Sequence, residues 1–221
     1  MNDIQGVLFD ADGTLIDTYD IILTSMRYAV NDVLGCSLDD AELMAGVGTP
    51  LYDQMLHFTG GDSARATEIT QIYRDHNDGV HDARIRAFGD TRAALERFQA
   101  AGIPMGVVTS KRHAMAQRGL EMSGIADHFQ FLIGHDDWPE HKPAPGPILR
   151  GCELLGVERL GLAPQTCLYV GDSPFDIQAG NAAGCATAAA LWGMFPREAL
   201  AAERPTCMCD SLTELADRLG I

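Results

Sequence analysis

The chain has 221 residues, 46% of them hydrophobic and 21% charged, which is room for one large or two smaller domains around a sizeable core. Its 16 Lys and Arg against 31 Asp and Glu give a net charge of −15. Nucleic acid is thereby disfavoured as a partner, because a phosphate backbone is met by Lys and Arg. No apolar run approaches the roughly 18 residues of a membrane span. Met1-Asn2-Asp3 carries no basic segment ahead of an apolar one, so a cytoplasmic, untargeted chain without a membrane partner is expected. The cysteines at 36, 152, 167, 185, 207 and 209 lie mostly in apolar stretches, which favours buried free thiols over disulfides or a zinc site.

In chain order, Ile4 to Phe9 reads as a buried strand that ends in Asp10-Ala11-Asp12-Gly13-Thr14. Helical spacing follows from Ile21 to Leu34, with Asp17 or Thr18 as N-cap and Gly35 as the stop. A short helix is predicted over 38–45, then a break at Gly46-Val47-Gly48-Thr49-Pro50, with Pro50 opening a helix to about Thr59. A long helix starts at Asp62 and runs toward Val80, so residues 18 to about 84 read as four helices and no strand. Beyond Phe88 the pattern alternates. Helices are predicted over 91–101, 112–122, 146–155, from 174 to 183 and over 211–219. Strands are predicted over 105–108, 129–133, 167–170 and 186–191, with an edge strand at Met208. Such alternation means an α/β fold, a doubly wound parallel sheet with helices on both faces. The expected division is a core of residues 1–16 and 85–221 with an inserted all-helical cap at 17–84.

Polar residues interrupt the apolar pattern at the strand ends. Asp10 and Asp12 follow the first strand, Thr109-Ser110 the second, and Asp172 the fourth, while Lys142 sits in a loop. In a doubly wound sheet these ends converge at one edge. Asp10 and Asp12, two residues apart on an extended backbone, crowd together and repel unless a cation or a proton intervenes. A carboxylate attacking a phosphate dianion faces the same repulsion. Mg²⁺ between Asp10, Asp172 and the phosphate would remove it. Lys142 would balance charge on the phosphoryl oxygens. Thr109 and the amide of Ser110 would hold one of them at a helix N-terminus. Asp12 would protonate the leaving oxygen and later take a proton from water.

Asp10-Ala11-Asp12-Gly13-Thr14-Leu15-Ile16-Asp17 resembles the first motif of the haloacid dehalogenase superfamily of phosphatases. Val107-Val108-Thr109-Ser110-Lys111 resembles the second, Lys142-Pro143 the third, and Gly171-Asp172-Ser173-Pro174-Phe175-Asp176 the fourth, in the family's order. The resemblance implies an aspartyl-phosphate on Asp10, Asp12 as acid and base, Lys142 on the phosphate, and Mg²⁺ held by Asp10, the main-chain carbonyl of Asp12, and Asp172. It also implies that the helical insert is a small cap. Tyr73-Arg74-Asp75-His76-Asn77, His81-Asp82 and Asp176-Ile177-Gln178-Ala179-Gly180 look most like PpaX-type inorganic pyrophosphatases and phosphoglycolate phosphatases. The expected substrate is therefore a small phosphorylated molecule, pyrophosphate ahead of phosphoglycolate, for a monomer or homodimer. A dehalogenase is set aside because Asp12 is present. A sugar phosphomutase is disfavoured because Ile22 and Thr49 stand where that group carries a histidine and an arginine. A non-catalytic module on the same fold would lack a motif residue, and none is missing.

Several residues keep two readings. Asp176 is a metal residue, directly or through a water, or simply the acid of a Ser-Pro-Phe-Asp helix start. Lys111 is a solvated charge or a helper for the phosphate. Asp17 and Thr14 are expected to orient Asp12 and its turn. Gly48 and Thr49 form a plain helix–helix turn or a substrate-contacting loop. The cluster of His76, Asn77 and His81 is structural, or meets the second phosphate of a diphosphate. Trp138 and Trp192 read as packing residues.

Overall fold

The computed structural model describes residues 4–156 and 164–221, so Met1-Asn2-Asp3, read above for a leader, lies outside the described residues. The elements are β1 (Gly6–Phe9), α1 (Tyr19–Met26), α2 (Asp40–Met44), α3 (Leu51–Phe58), α4 (Ser63–Arg84), α5 (Thr91–Ala100), β2 (Met105–Val108), α6 (His113–Met122), β3 (Leu132–Ile133), α7 (Gly146–Leu154), β4 (Cys167–Gly171), α8 (Pro174–Ala182), β5 (Ala186–Ala190), α9 (Arg197–Ala202), β6 (Cys207–Cys209) and α10 (Leu212–Leu219). The strands form one parallel sheet in the order β3-β2-β1-β4-β5-β6. β1 lies at its centre, with Leu8 opposite Gly106 on one side and Tyr169 on the other.

Every residue of β1 is buried, as a strand covered on both faces requires. Alternate side chains feed different cores. Val7 and Phe9 pack with Leu95, Phe98 and Leu215 on one face. Leu8 packs with Ile148, Tyr169 and Ala179 on the other. Phe9 also meets Phe98 edge-on, with ring centroids 5.9 Å apart. Each large side chain buried this way contributes about 1.5–3 kcal/mol relative to exposure. α1 to α4 gather a separate apolar cluster around Met26, Met55 and Ile69, and Met194 and Phe195 reach it from the segment after β5. No helix of the described residues is long and apolar enough to cross a membrane.

The two chain segments that lead into and out of this helical layer run side by side. Ile16 bridges Ala87 in antiparallel fashion. The Asp17 amide donates to the Arg86 carbonyl at 2.9 Å, and Arg86 ion-pairs with the Asp17 carboxylate at 2.6 Å. Asp17 therefore ties the two connections together rather than orienting Asp12. Thr18 stands at the N-cap of α1, but its side chain makes no capping bond.

Other local differences have simple causes. The helix from α1 widens into π-helical turns at Arg27–Val33, and Asn31 then clasps Leu38 through both its backbone groups, at 2.9 and 3.1 Å. β3 is shorter than the predicted 129–133, although the chain already runs along β2 ahead of it: the Gln130 amide donates to the Met105 carbonyl at 2.9 Å and the Phe131 carbonyl accepts from the Val107 amide at 3.1 Å. α9 is absent from the sequence-based prediction, since six residues rich in alanine carry too little periodicity to stand out.

Candidate active site

The carboxyl ends of β1, β2 and β4 open onto one pocket of about 120 Å³ between sheet and helical layer. Asp10, Asp12, Thr109, Ser110, Lys111, Asp172 and Ser173 line its sheet side. Three sequence segments far apart in the chain thus meet at one sheet edge, where open α/β sheets bind ligands.

Asp10 leaves β1 with its amide donating to Val170 at 2.8 Å, so the β1–β4 ladder fixes its backbone. Its Oδ1 lies 2.9 Å from Lys142 Nζ, yet off the axis of a hydrogen bond, and that oxygen has no hydrogen-bond partner among the described residues. Burial pushes the Asp10 pKa up to about 7; Lys142 pulls it down, and Asp176 and Asp12 push it up again. Asp172 is raised well above the usual carboxylate range by burial, then by Asp176 and Asp10. Its Oδ1 accepts from Thr14 Oγ1 at 3.2 Å and its Oδ2 from the Met194 amide at 2.7 Å. Thr14 thus orients Asp172 rather than Asp12. Gly13 makes this approach possible: at φ +76° it adopts a left-handed turn, and a Cβ there would sit 2.2 Å from Asp172 Oδ2.

Lys142 is 3% exposed. Burial opposes its charge, but Asp10 and Asp176 outweigh that and hold its pKa well above the usual lysine value. Asp176 is fully buried and fully engaged. Its Oδ1 accepts from Lys142 Nζ at 2.6 Å, and its Oδ2 accepts from the amide and hydroxyl of Ser173 at 3.0 and 2.6 Å. It both caps α8, through a capping box with Ser173, and anchors Lys142.

Tyr169 belongs to this cluster and was not singled out by the sequence. Its hydroxyl accepts from Lys142 at 3.2 Å and lies 2.9 Å from the Val108 carbonyl and 3.1 Å from Asp176, to one of which it donates. The one available signal was a tyrosine inside an otherwise apolar run, whose hydroxyl needs a partner once buried. Trp192 also does more than pack, since its Nε1 donates to the Thr14 carbonyl at 3.0 Å and pins the turn after β1.

Asp10, Asp172 and Asp176 offer carboxylate oxygens all within 4.8 Å of one another. Three buried carboxylates around one ammonium leave negative charge uncompensated, and Asp10 Oδ1, although 2.9 Å from Lys142 Nζ, has no hydrogen-bond partner among the described residues. The residues fit a hard divalent cation, which prefers oxygen ligands. Asp10 and Asp172 retain lone pairs for it, whereas those of Asp176 are occupied by Lys142, Ser173 and Tyr169.

The second motif leads into α6, which begins at His113 with Arg112 as its N-cap, so Thr109 and Ser110 stand in the loop just ahead of the helix. Thr109 Oγ1 accepts the Lys111 amide at 3.3 Å. Ser110 spends its hydroxyl on the Gly48 carbonyl at 2.6 Å, and its amide makes no hydrogen bond among the described residues. Lys111 is not a solvated charge: its Nζ reaches the two oxygens of Asp12 at 2.9 and 3.1 Å.

From the helical layer the pocket receives Gly48, Thr49, Gln54, Tyr73, Arg74 and Asn77, with Ile22, Met26 and Leu51 among its apolar lining. Gly48, at φ +104°, lies so close to the sheet that a Cβ would come within 2.6 Å of Ser173 Oγ. Thr49 turns its hydroxyl back onto the Gly46 carbonyl at 2.7 Å. Gln54 donates to the Thr49 carbonyl at 2.9 Å and keeps its Oε1 buried and unpartnered. The structure does not bring His76 to the pocket. Its ring stacks on Tyr28 at 4.6 Å and its Nδ1 lies 3.1 Å from Ser25 Oγ, on another face of α4. His81 is likewise buried beside Asp82, at 3.0 Å.

The sequence profile of the haloacid dehalogenase-like hydrolases matches residues 7–190. A Clostridium perfringens protein named "Putative pyrophosphatase PpaX" is 37% identical over 214 residues, covering 97% of this chain and 96% of that one. The pyrophosphatase PpaX of Anoxybacillus flavithermus is 32% identical over 218 residues, covering 99% and 98%. The crystal structure of a Haemophilus somnus protein, described as a predicted phosphoglycolate phosphatase, superposes with a TM-score of 0.82 at 25% identity and covers 99% of each chain. Carboxylates and hydroxyls on the strand ends, a parallel sheet in this order and a match over most of the chain agree with the four motifs: the chain belongs to the haloacid dehalogenase-like hydrolases, as a phosphohydrolase of that family.

Proposed function

We propose that the protein is a Mg²⁺-dependent phosphatase that works through an aspartyl-phosphate on Asp10, with pyrophosphate or a small phosphate monoester as substrate and residues 17–84 acting as a cap. The observation that carries this reading is Asp10 itself, a buried carboxylate in the pocket, 2.9 Å from Lys142 and beside Asp172. Asp10, Asp172 and the main-chain carbonyl of Asp12 would hold Mg²⁺, which when bound supplies charge neutralisation between carboxylates and phosphate.

The chain's own groups divide the remaining work. A carboxylate oxygen of Asp10 attacks phosphorus as the bond to the leaving oxygen breaks. Lys142, held by Asp176 and Tyr169, stabilises charge on the phosphoryl oxygens, helped by Thr109 and the Ser110 amide. Asp12 gives its proton to the leaving oxygen, then takes one from the water that attacks the phosphorus of the acyl phosphate, which returns Asp10 as a carboxylate. The pyrophosphatase relatives support pyrophosphate. The apolar lining from Ile22, Met26 and Leu51 supports a leaving group with a carbon stem, as in a phosphorylated hydroxy acid.

The test is Asp10→Asn assayed with Mg²⁺ against pyrophosphate and a panel of small phosphate monoesters, by release of free phosphate. Loss of turnover on every substrate is expected. Wild-type turnover in the variant would remove Asp10 as nucleophile.

A further inference from the structure

The pocket continues beyond Asp10 and Asp12 to two arginines from different parts of the chain, Arg74 on α4 and Arg112 just ahead of α6. Both are half-buried. Among the described residues, eight other arginines form ion pairs with Asp or Glu. Arg74 and Arg112 find no ion pair and no side-chain hydrogen bond among the described residues. They also oppose one another: burial lowers the Arg74 pKa, and the nearby Arg112 charge lowers it further, with Asp136 and Asp78 offsetting part of the effect. In a chain of net charge −15, acids are plentiful, yet none closes on this pair. Two like charges half out of water, without partners and facing a cavity, favour an anion between them.

We propose that Arg74 and Arg112 form a leaving-group subsite for a second anionic group, a carboxylate or a phosphate, carried by the substrate. This rests on the phosphatase reading above and deepens it by fixing the charge of the leaving group. Planar guanidinium forks suit both anions, each of which presents paired oxygens. The wall of the same pocket includes Met26, Leu51 and Tyr73, which suits a short stem joining the two anionic ends. The subsite occupies the role left open above for the cluster of His76, Asn77 and His81, of which Asn77 lines the pocket and the two histidines do not, and α4 explains the difference. Tyr73, Arg74, Asn77 and Asp78 share the face turned to the pocket, while His76 faces Ser25 and Tyr28.

Equilibrium binding to the Asp10→Asn protein tests this without turnover. The probes are phosphoglycolate, pyrophosphate and 2-hydroxyethyl phosphate, the last replacing the carboxylate with a neutral alcohol of similar size. The anionic probes should bind at least about tenfold more tightly than the neutral one, since each charge-assisted contact is worth roughly ten- to a hundredfold. Adding Arg74→Gln or Arg112→Gln should remove most of that preference, and Arg74→Lys should restore part of it. Melting temperatures close to that of the parent show that the variants are folded. Preference for phosphoglycolate over pyrophosphate identifies a carboxylate as the second group, and the reverse identifies a phosphate. Equal affinity for charged and neutral probes, or a preference unchanged in both glutamine variants, overturns the subsite. Neither result touches the nucleophile, which is decided separately by turnover in Asp10→Asn.

Discussion

Lys111 Nζ lies 2.9 Å from one oxygen of Asp12 and 3.1 Å from the other, joining residues 99 positions apart in the sequence. Both side chains are largely covered, with 15% and 17% exposure, so the pair holds a fixed geometry at the pocket. If Asp12 is the proton donor to the leaving group, Lys111 positions it. The Lys111→Met variant should then lose activity unevenly. A simple alkyl phosphate needs its leaving oxygen protonated, whereas 4-nitrophenyl phosphate does not. General acid catalysis contributes about 10²–10⁴-fold, so the alkyl ester should suffer by at least about tenfold more, and Lys111→Arg should recover part of the loss. Equal losses on both esters would show that Lys111 contributes only charge.

Gly48 brings the helical layer against the strand ends of the sheet. Its carbonyl takes the Ser110 hydroxyl at 2.6 Å, and its φ of +104° favours glycine. Gly48→Ala adds a methyl within 2.6 Å of Ser173 Oγ and strains the backbone, which together cost about 1–3 kcal/mol. That cost falls on the seating of the loop. Activity on all substrates should fall about tenfold or more, while the melting temperature drops only a few degrees and proteolysis near the paired 16–17 and 86–87 connections increases. Unchanged kinetics would separate this contact from catalysis.

Asp10 makes the metal-free protein sensitive to pH. Its folded-state pKa is about 7, against an ordinary value of 3.8. Between those values the folded chain keeps a proton that the unfolded chain has released, so this group's contribution to stability falls as pH rises through the window. Above pH 7 the penalty is complete, and below about 4 it vanishes. In the presence of a chelator, Asp10→Asn should therefore melt several degrees above wild type at pH 8, and the gap should close as pH approaches 4. Saturating Mg²⁺ should narrow the gap at pH 8 by stabilising the wild type. A gap that is independent of pH would mean that Asp10 is not held at a raised pKa.

Much of the architecture was legible because the sheet is buried on both faces. Val7-Leu8-Phe9 and Leu168-Tyr169-Val170 read as apolar runs, and the polar residues that end them, Asp10 and Asp172, stand out for that reason. What was hidden depended on orientation. Period alone places Arg74 and His76 on the same helix but not on which face it turns to the pocket, and tertiary packing of α4 against α1 decided that. Tyr169 passed as an apolar strand residue because its hydroxyl is needed only once Lys142 and Asp176, from other segments, arrive beside it. Thr14 and Asp17 lie beside Asp12 in sequence, but the fold brings Thr14 to Asp172 and Asp17 to Arg86.

The central claim, covalent catalysis by Asp10, is tested most directly by trapping. Wild-type protein mixed with Mg²⁺ and phosphoglycolate or pyrophosphate, quenched in acid within the first turnovers and reduced with borohydride, should carry homoserine in place of aspartate at position 10, because borohydride reduces an acyl phosphate to the alcohol. Aspartate should remain at position 10 in protein treated identically without substrate. Reduction at Asp12 or Asp172 instead, or none anywhere in protein that releases phosphate under the same conditions, would contradict the account.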